Sequence, residues 1–122
     1  MAVEQPKGDQ RRHPRWGVRG RLTGRVGNIP KVGVVDISLG GALIEHPSLF
    51  QPGAVMIVNL LFPGHEVGLK CRVIRSDPHG YEVLPTGTRD LLHRTGLEFL
   101  DISEASQRVI NGYIRFLSEL QL

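Results

Sequence analysis

Two clusters carry the side chains best suited to chemistry. The first is Arg11-Arg12-His13-Pro14-Arg15, with two arginines four positions apart. A guanidinium is planar, always charged and rich in paired N–H donors. It grips a phosphate or the edge of a base with two bonds, where lysine offers a point charge. The second cluster is Asp36-Ile37-Ser38-Leu39-Gly40-Gly41, an Asp-x-Ser-x-x-Gly run. Its carboxylate accepts, its hydroxyl donates or accepts, and its glycine lets a backbone come close. The arginine spacing says little by itself, because the chain has three such pairs, at 11/15, 15/19 and 21/25. The second run is rarer, with about 0.05 occurrences expected from the composition. The competing reading of Asp36 and Ser38 is as plain turn residues that bond their own backbone.

The elements around these clusters follow from periodicity. Residues 1–15 lack apolar periodicity, so residues 1–10 are expected to form a flexible arm and residues 11–120 the folded domain. From Trp16 to Val26 small or apolar residues alternate with Arg19, Arg21 and Arg25, which reads as one strand with a basic face. Val32–Ile37 and Ala42–Glu45 flank the Leu39-Gly40-Gly41 turn as two further strands. Val55–Phe62 is almost continuously apolar and predicts a strand covered on both faces. Val67–Ser76 alternates, Asp77–Gly80 turns, and Tyr81–Leu84 reads as a short strand. Residues 85–94 read as an irregular loop, and Thr95, Leu97 and Phe99 alternate again. The period then becomes helical: Val109, Ile110, Tyr113, Phe116, Leu117 and Leu120 share a face. Asp101 or Ser103 can cap that helix. Gly112 within it costs about 1 kcal/mol relative to alanine, which predicts close packing there.

A chain of 122 residues with 40% hydrophobic residues builds one small domain. Its 15 glycines and 8 prolines suit short strands and turns, not a helix bundle. No apolar run reaches the roughly 20 residues of a membrane span, and the N-terminus has no secretory apolar region. A lone Cys71 excludes an internal disulfide and reads as inert core. Five histidines without metal-ligand spacing predict no metal site, and no arrangement positions a histidine for nucleophilic catalysis. The net charge is +3, yet residues 1–25 hold seven basic and two acidic side chains. That excess reads as either a solvated arm or an anion site.

Taken together, order and spacing resemble the PilZ domain family of bacterial cyclic di-GMP receptors. Arg11 and Arg15 fit that family's Arg-x-x-x-Arg loop before the first strand. Asp36, Ser38 and Gly41 fit its Asp/Asn-x-Ser-x-x-Gly turn, and Gly96-Leu97-Glu98-Phe99 with the terminal helix fits its ending. The resemblance implies a six-stranded antiparallel β-barrel with a C-terminal α-helix. It implies a non-enzymatic, cytoplasmic module that binds cyclic di-GMP and signals to a downstream protein, without a cofactor. The expected ligand-binding residues are Arg11, Arg12, Arg15, Asp36, Ser38, Gly40 and Gly41. Arg12 supplies mainly charge support. Guanine offers the O6 and N7 acceptors that an arginine fork matches. Residues 78–94 are longer than this pattern requires. Two alternatives belong to other classes. One is a PilZ fold used for protein contacts without nucleotide. The other is a small barrel binding single-stranded nucleic acid, which needs aromatics on an exposed strand face. Seven aromatic residues in all, with Phe62, Phe99, Tyr113 and Phe116 assigned to the core, disfavour the latter.

Overall fold

The computed structural model describes residues 14–120. Seven strands and one helix follow in order: β1 (Trp16–Gly17), β2 (Thr23–Val26), β3 (Ile29–Ile37), β4 (Gly41–His46), β5 (Val55–Phe62), β6 (His65–Val83), β7 (Arg89–Leu100) and α1 (Glu104–Glu119). The strand order is β1-β3-β2-β5-β6-β7-β4, and a β3–β4 pairing closes the six larger strands into a barrel. All pairings are antiparallel, and β1 lies outside the barrel on β3. Closure removes the exposed edges an open sheet of this size would carry.

The barrel interior is filled by alternate residues of each strand. Val32, Val34 and Ile37 of β3, Ala42 and Ile44 of β4, Val58 and Leu60 of β5, and Leu69, Cys71 and Val73 of β6 are buried. Ile110, Tyr113 and Leu117 of α1 join the same cluster. Ser103 caps the helix, its hydroxyl accepting from the Ser106 N–H at 3.1 Å. Asp101, the other candidate cap, instead turns the chain with φ 48°. Burial raises the Cys71 thiol pKa to about 12, so the thiol stays protonated and unreactive.

Several expectations require correction. Trp16–Val26 is not one strand. The chain leaves β1 after Gly17, turns through residues 18–22 with Gly20 at φ 80°, and re-enters as β2. Val18 and Leu22 both point inward because the turn folds them onto the core, so Arg19 and Arg21 lie on a turn rather than a strand face. β5 is covered on one face only: Val55, Ile57 and Leu61 are exposed outside the barrel. Residues 85–94 are not an irregular loop. β6 and β7 continue past the barrel as a paired ribbon to Val83 and Arg89, linked by a turn at residues 84–88. The predicted turn at Asp77–Gly80 is a register shift within that ribbon, with Gly80 at φ 77°. Phe116 is 47% exposed rather than core. Among the described residues, nothing beyond the helix's own nearby backbone lies within 4 Å of a Cβ built on Gly112, so close packing does not account for this glycine.

Candidate functional site

The site is built where the chain enters the barrel. β1 pairs with the end of β3 in the register Trp16↔Ile37 and Gly17↔Asp36. Arg15 therefore stands immediately beside Asp36, and its Nη1 donates to Asp36 Oδ1 at 3.0 Å. Both side chains are only about one-fifth exposed, at 23% and 22%. Arg15 Nε is buried and bonds to nothing among the described residues. A charged donor withdrawn from water without an acceptor is costly, so this N–H is poised for an incoming acceptor.

A β-bulge aims Asp36 at this corner. Gly33↔Glu45 and Val34↔Ile44 are followed by Asp36↔Leu43, so Val35 is the extra residue. Without that insertion, the inward series Val32, Val34 would continue to Asp36 and bury its carboxylate in the core. The bulge resets the parity, sending Ile37 inward and Asp36 outward. Trp16 packs against the core beside it and anchors β1.

The β3–β4 turn is braced by Ser38. Its Oγ accepts from the Gly40 N–H at 3.1 Å and the Gly41 N–H at 3.2 Å, and donates to the Gly41 carbonyl at 3.3 Å. Those bonds use the hydroxyl's single donor and both acceptor positions. Gly41 is required by packing: a Cβ there would stand 2.0 Å from the Leu97 carbonyl oxygen of β7. The Gly40 carbonyl meanwhile accepts from the Phe99 N–H at 2.9 Å, tying the turn to the last strand. Arg15, Asp36, Ser38, Gly40 and Gly41 thus occupy one end of β1, β3 and β4. Arg11 and Arg12 lie outside the described residues.

The register adds residues that spacing did not single out. Asp36, Leu43, Gly96 and Arg75 form one outward row across β3, β4, β7 and β6. A Cβ on Gly96 would meet the Arg75 side chain at 3.7 Å, so Arg75 lies across the floor that Gly96 keeps low. One step along, Glu45 accepts from Arg94 Nε at 3.1 Å and stands 3.8 Å from Arg19 Nη2. The sequence signal was the β7 alternation: Arg94, Gly96 and Glu98 are its outward positions. Of these only Arg94 is hidden by reading residues 85–94 as a loop. Arg25 is elsewhere, paired with Glu66.

The model of the family described as "PilZ domain" matches residues 9–116. No curated protein matches the chain by sequence. Among solved structures, the chain resembles the PilZ domain with c-di-GMP of YcgR from Escherichia coli, with TM-score 0.68 and 15% identity over 91% of this chain and 93% of that one. It also resembles MrkH, a c-di-GMP-dependent transcription regulatory factor, with TM-score 0.69 and 16% identity over 90% of this chain and 52% of that one. The K. pneumonia MrkH–c-di-GMP complex gives TM-score 0.68 and 18% identity over 91% of this chain and 53% of that one. The chain spans about half the length of MrkH. At these identities the structures establish the barrel and its closing helix. Since the family model runs from the arginine cluster through α1, the chain belongs to the PilZ domain family.

Proposed function

We propose that this protein is a receptor for cyclic di-GMP, a binding module without catalytic chemistry of its own. The observation that carries the reading is Arg15: a guanidinium oriented by Asp36, with its Nε buried and unmatched, at the Asp-x-Ser-x-x-Gly turn. Cyclic di-GMP brings two phosphodiester charges and two guanines, both matched by arginine forks. Arg15 supplies one fork from a fixed position. Arg11 supplies the second from the preceding segment, and Arg12 adds charge. Asp36 orients Arg15 and accepts from guanine N–H groups. Ser38 acts through its turn, since its hydroxyl is already fully bonded. Gly40 and Gly41 keep that turn low against β7. Binding orders the part of the N-terminal Arg loop that precedes the already placed Arg15 against the barrel, and a downstream protein reads the altered surface in the cytoplasm. That the similar YcgR PilZ domain and MrkH structures are complexes with c-di-GMP supports this assignment.

Isothermal titration calorimetry with cyclic di-GMP, GTP and cyclic GMP tests it. Cyclic di-GMP should bind with micromolar or tighter affinity and the other two much more weakly. Equal binding of GTP, or no heat with cyclic di-GMP at millimolar concentration, would overturn the receptor reading.

A further inference from the structure

A cavity of about 520 Å³ lies between α1 and the β5–β6 turn, remote in sequence from the arginine corner. Such a volume accommodates a small organic ligand. Its walls are mainly apolar, with Phe62 and Tyr113 meeting edge to face at 5.3 Å and the Phe116 ring tilted at 35° to Tyr113, 6.2 Å away. Phe116 is left 47% exposed although the helix could have placed a polar residue there. Gly112 also lines this space, and a Cβ on it would meet nothing within 4 Å. A glycine in mid-helix lowers helix stability, and here no neighbouring backbone requires it. What its missing side chain provides is room in the cavity.

The polar chemistry of the lining is one-sided. Among the described residues, Arg108 and His65 are its charged or titratable side chains besides Tyr113, and none of the lining residues is a carboxylate. Among the described residues Arg108 pairs with Glu104, at 4.0 Å and with both side chains largely in water, so that pairing holds it weakly. Apolar walls with an available guanidinium at the mouth complement a molecule that is apolar along its length and anionic at one end. We infer that this cavity is a binding site for a medium-chain aliphatic carboxylate, with its alkyl chain against Phe62, Tyr113 and Phe116 and its carboxylate at Arg108. This assignment is independent of the nucleotide reading, because none of these residues belongs to the arginine corner.

The test is calorimetry on the full chain with decanoate below its micellar concentration. Decanol supplies the chain without the charge, and acetate the charge without the chain. Decanoate should bind at least about tenfold more tightly than decanol, and acetate should give no heat. Gly112→Leu should weaken decanoate at least about tenfold without lowering the melting temperature, since leucine is the better helix former and enters open space. Arg108→Gln should abolish the preference for decanoate over decanol. Both variants should keep the cyclic di-GMP heat of the parent. Equal affinities for decanoate and decanol would overturn the proposal, as would decanoate binding unaffected by Gly112→Leu. Two further results would overturn it in favour of other occupants. One is sedimentation with phosphatidylglycerol vesicles that Gly112→Leu abolishes, which marks a membrane surface. The other is a dimer in sedimentation velocity that the same substitution dissociates, which marks a second copy.

Discussion

Arg15 and Asp36 sit 21 positions apart in the chain, yet their side chains form one 3.0 Å pair at the barrel entrance. What distinguishes Arg15 from the chain's other arginines is position rather than charge. Arg25 is committed to Glu66 on the β2–β5–β6 side, and Arg21 lies near Tyr113. Arg15→Ala should therefore abolish most cyclic di-GMP binding, and Arg15→Lys should restore little, because the lost feature is the fork. Arg21→Ala and Arg25→Ala should each cost less than about tenfold in affinity, or about 1.4 kcal/mol. Calorimetry on the four variants decides, and equal losses would point to a diffuse basic patch with steep salt dependence. Two glycines make an opposite pair. Gly41→Ala forces a Cβ toward the Leu97 carbonyl at 2.0 Å and should cost roughly 2–4 kcal/mol in urea unfolding. Gly112→Ala meets open space and should stabilise by up to about 1 kcal/mol.

At the scale of elements, α1 and the β6–β7 ribbon contrast in what holds them. The helix is fastened by Ile110, Tyr113 and Leu117, of which Ile110 and Leu117 are wholly buried. Leu117→Ala should cost about 2–4 kcal/mol, whereas Phe116→Ala should cost less than about 1 kcal/mol because that ring is half in water. The ribbon beyond Pro78↔His93 is paired only with itself, and its Tyr81, Val83 and Leu91 side chains are exposed. An isolated two-stranded ribbon is marginal without a core beneath it, so the barrel does not depend on it. Replacing residues 79–92 with Asn-Gly should leave near-ultraviolet circular dichroism intact and move the melting temperature by no more than about 5 °C. Unfolding of that variant would show that the ribbon stabilises the barrel.

The whole molecule carries a built-in acid sensitivity at the end of the barrel opposite the β3–β4 turn along β4. His46 is buried there, with Nε2 2.6 Å from Thr95 Oγ1, and Thr95 Oγ1 lies 2.8 Å from Ser76 Oγ. Its ring stacks on Phe50 at 4.2 Å and faces His93 at 6.4 Å. Burial first, and the neighbouring His93 second, lower the His46 pKa to about 4. The unfolded chain binds this proton near the ordinary histidine value while the folded chain does not. Stability contributed by neutral His46 is therefore complete above about pH 6.5 and is lost progressively as pH falls toward about 4. The loss across that window is of order 3 kcal/mol from this residue, at 1.36 kcal/mol per pKa unit. Urea unfolding from pH 7 to pH 4 should show the decline, and His46→Gln should flatten it. An unchanged slope in that variant would assign the acid sensitivity to the carboxylates.

The mainly β architecture, the terminal helix, the turn at Leu39-Gly40-Gly41 and the candidate residues Arg15 and Asp36 are legible in the chain alone. These rest on local signals: period two for half-buried strands, period 3.6 for α1, and side-chain types suited to forked recognition. Tertiary structure alone decided what depends on pairing across the barrel. The Val35 bulge that turns Asp36 outward is a mismatch between β3 and β4, and neither strand encodes it alone. The β6–β7 ribbon is hidden in the sequence because Pro78, Gly80, Pro85 and Gly87 all read locally as breakers, whereas a register shift against β7 absorbs Pro78 and Gly80 and only Pro85 and Gly87 form the connecting turn. Gly41 looked like a residue making way for a ligand, and its backbone neighbour proves to be Leu97, 56 positions later. The exposed outer face of β5 has the same origin. Continuous apolar character does not say how many layers cover a strand, and a closed barrel with one helix covers only the inside.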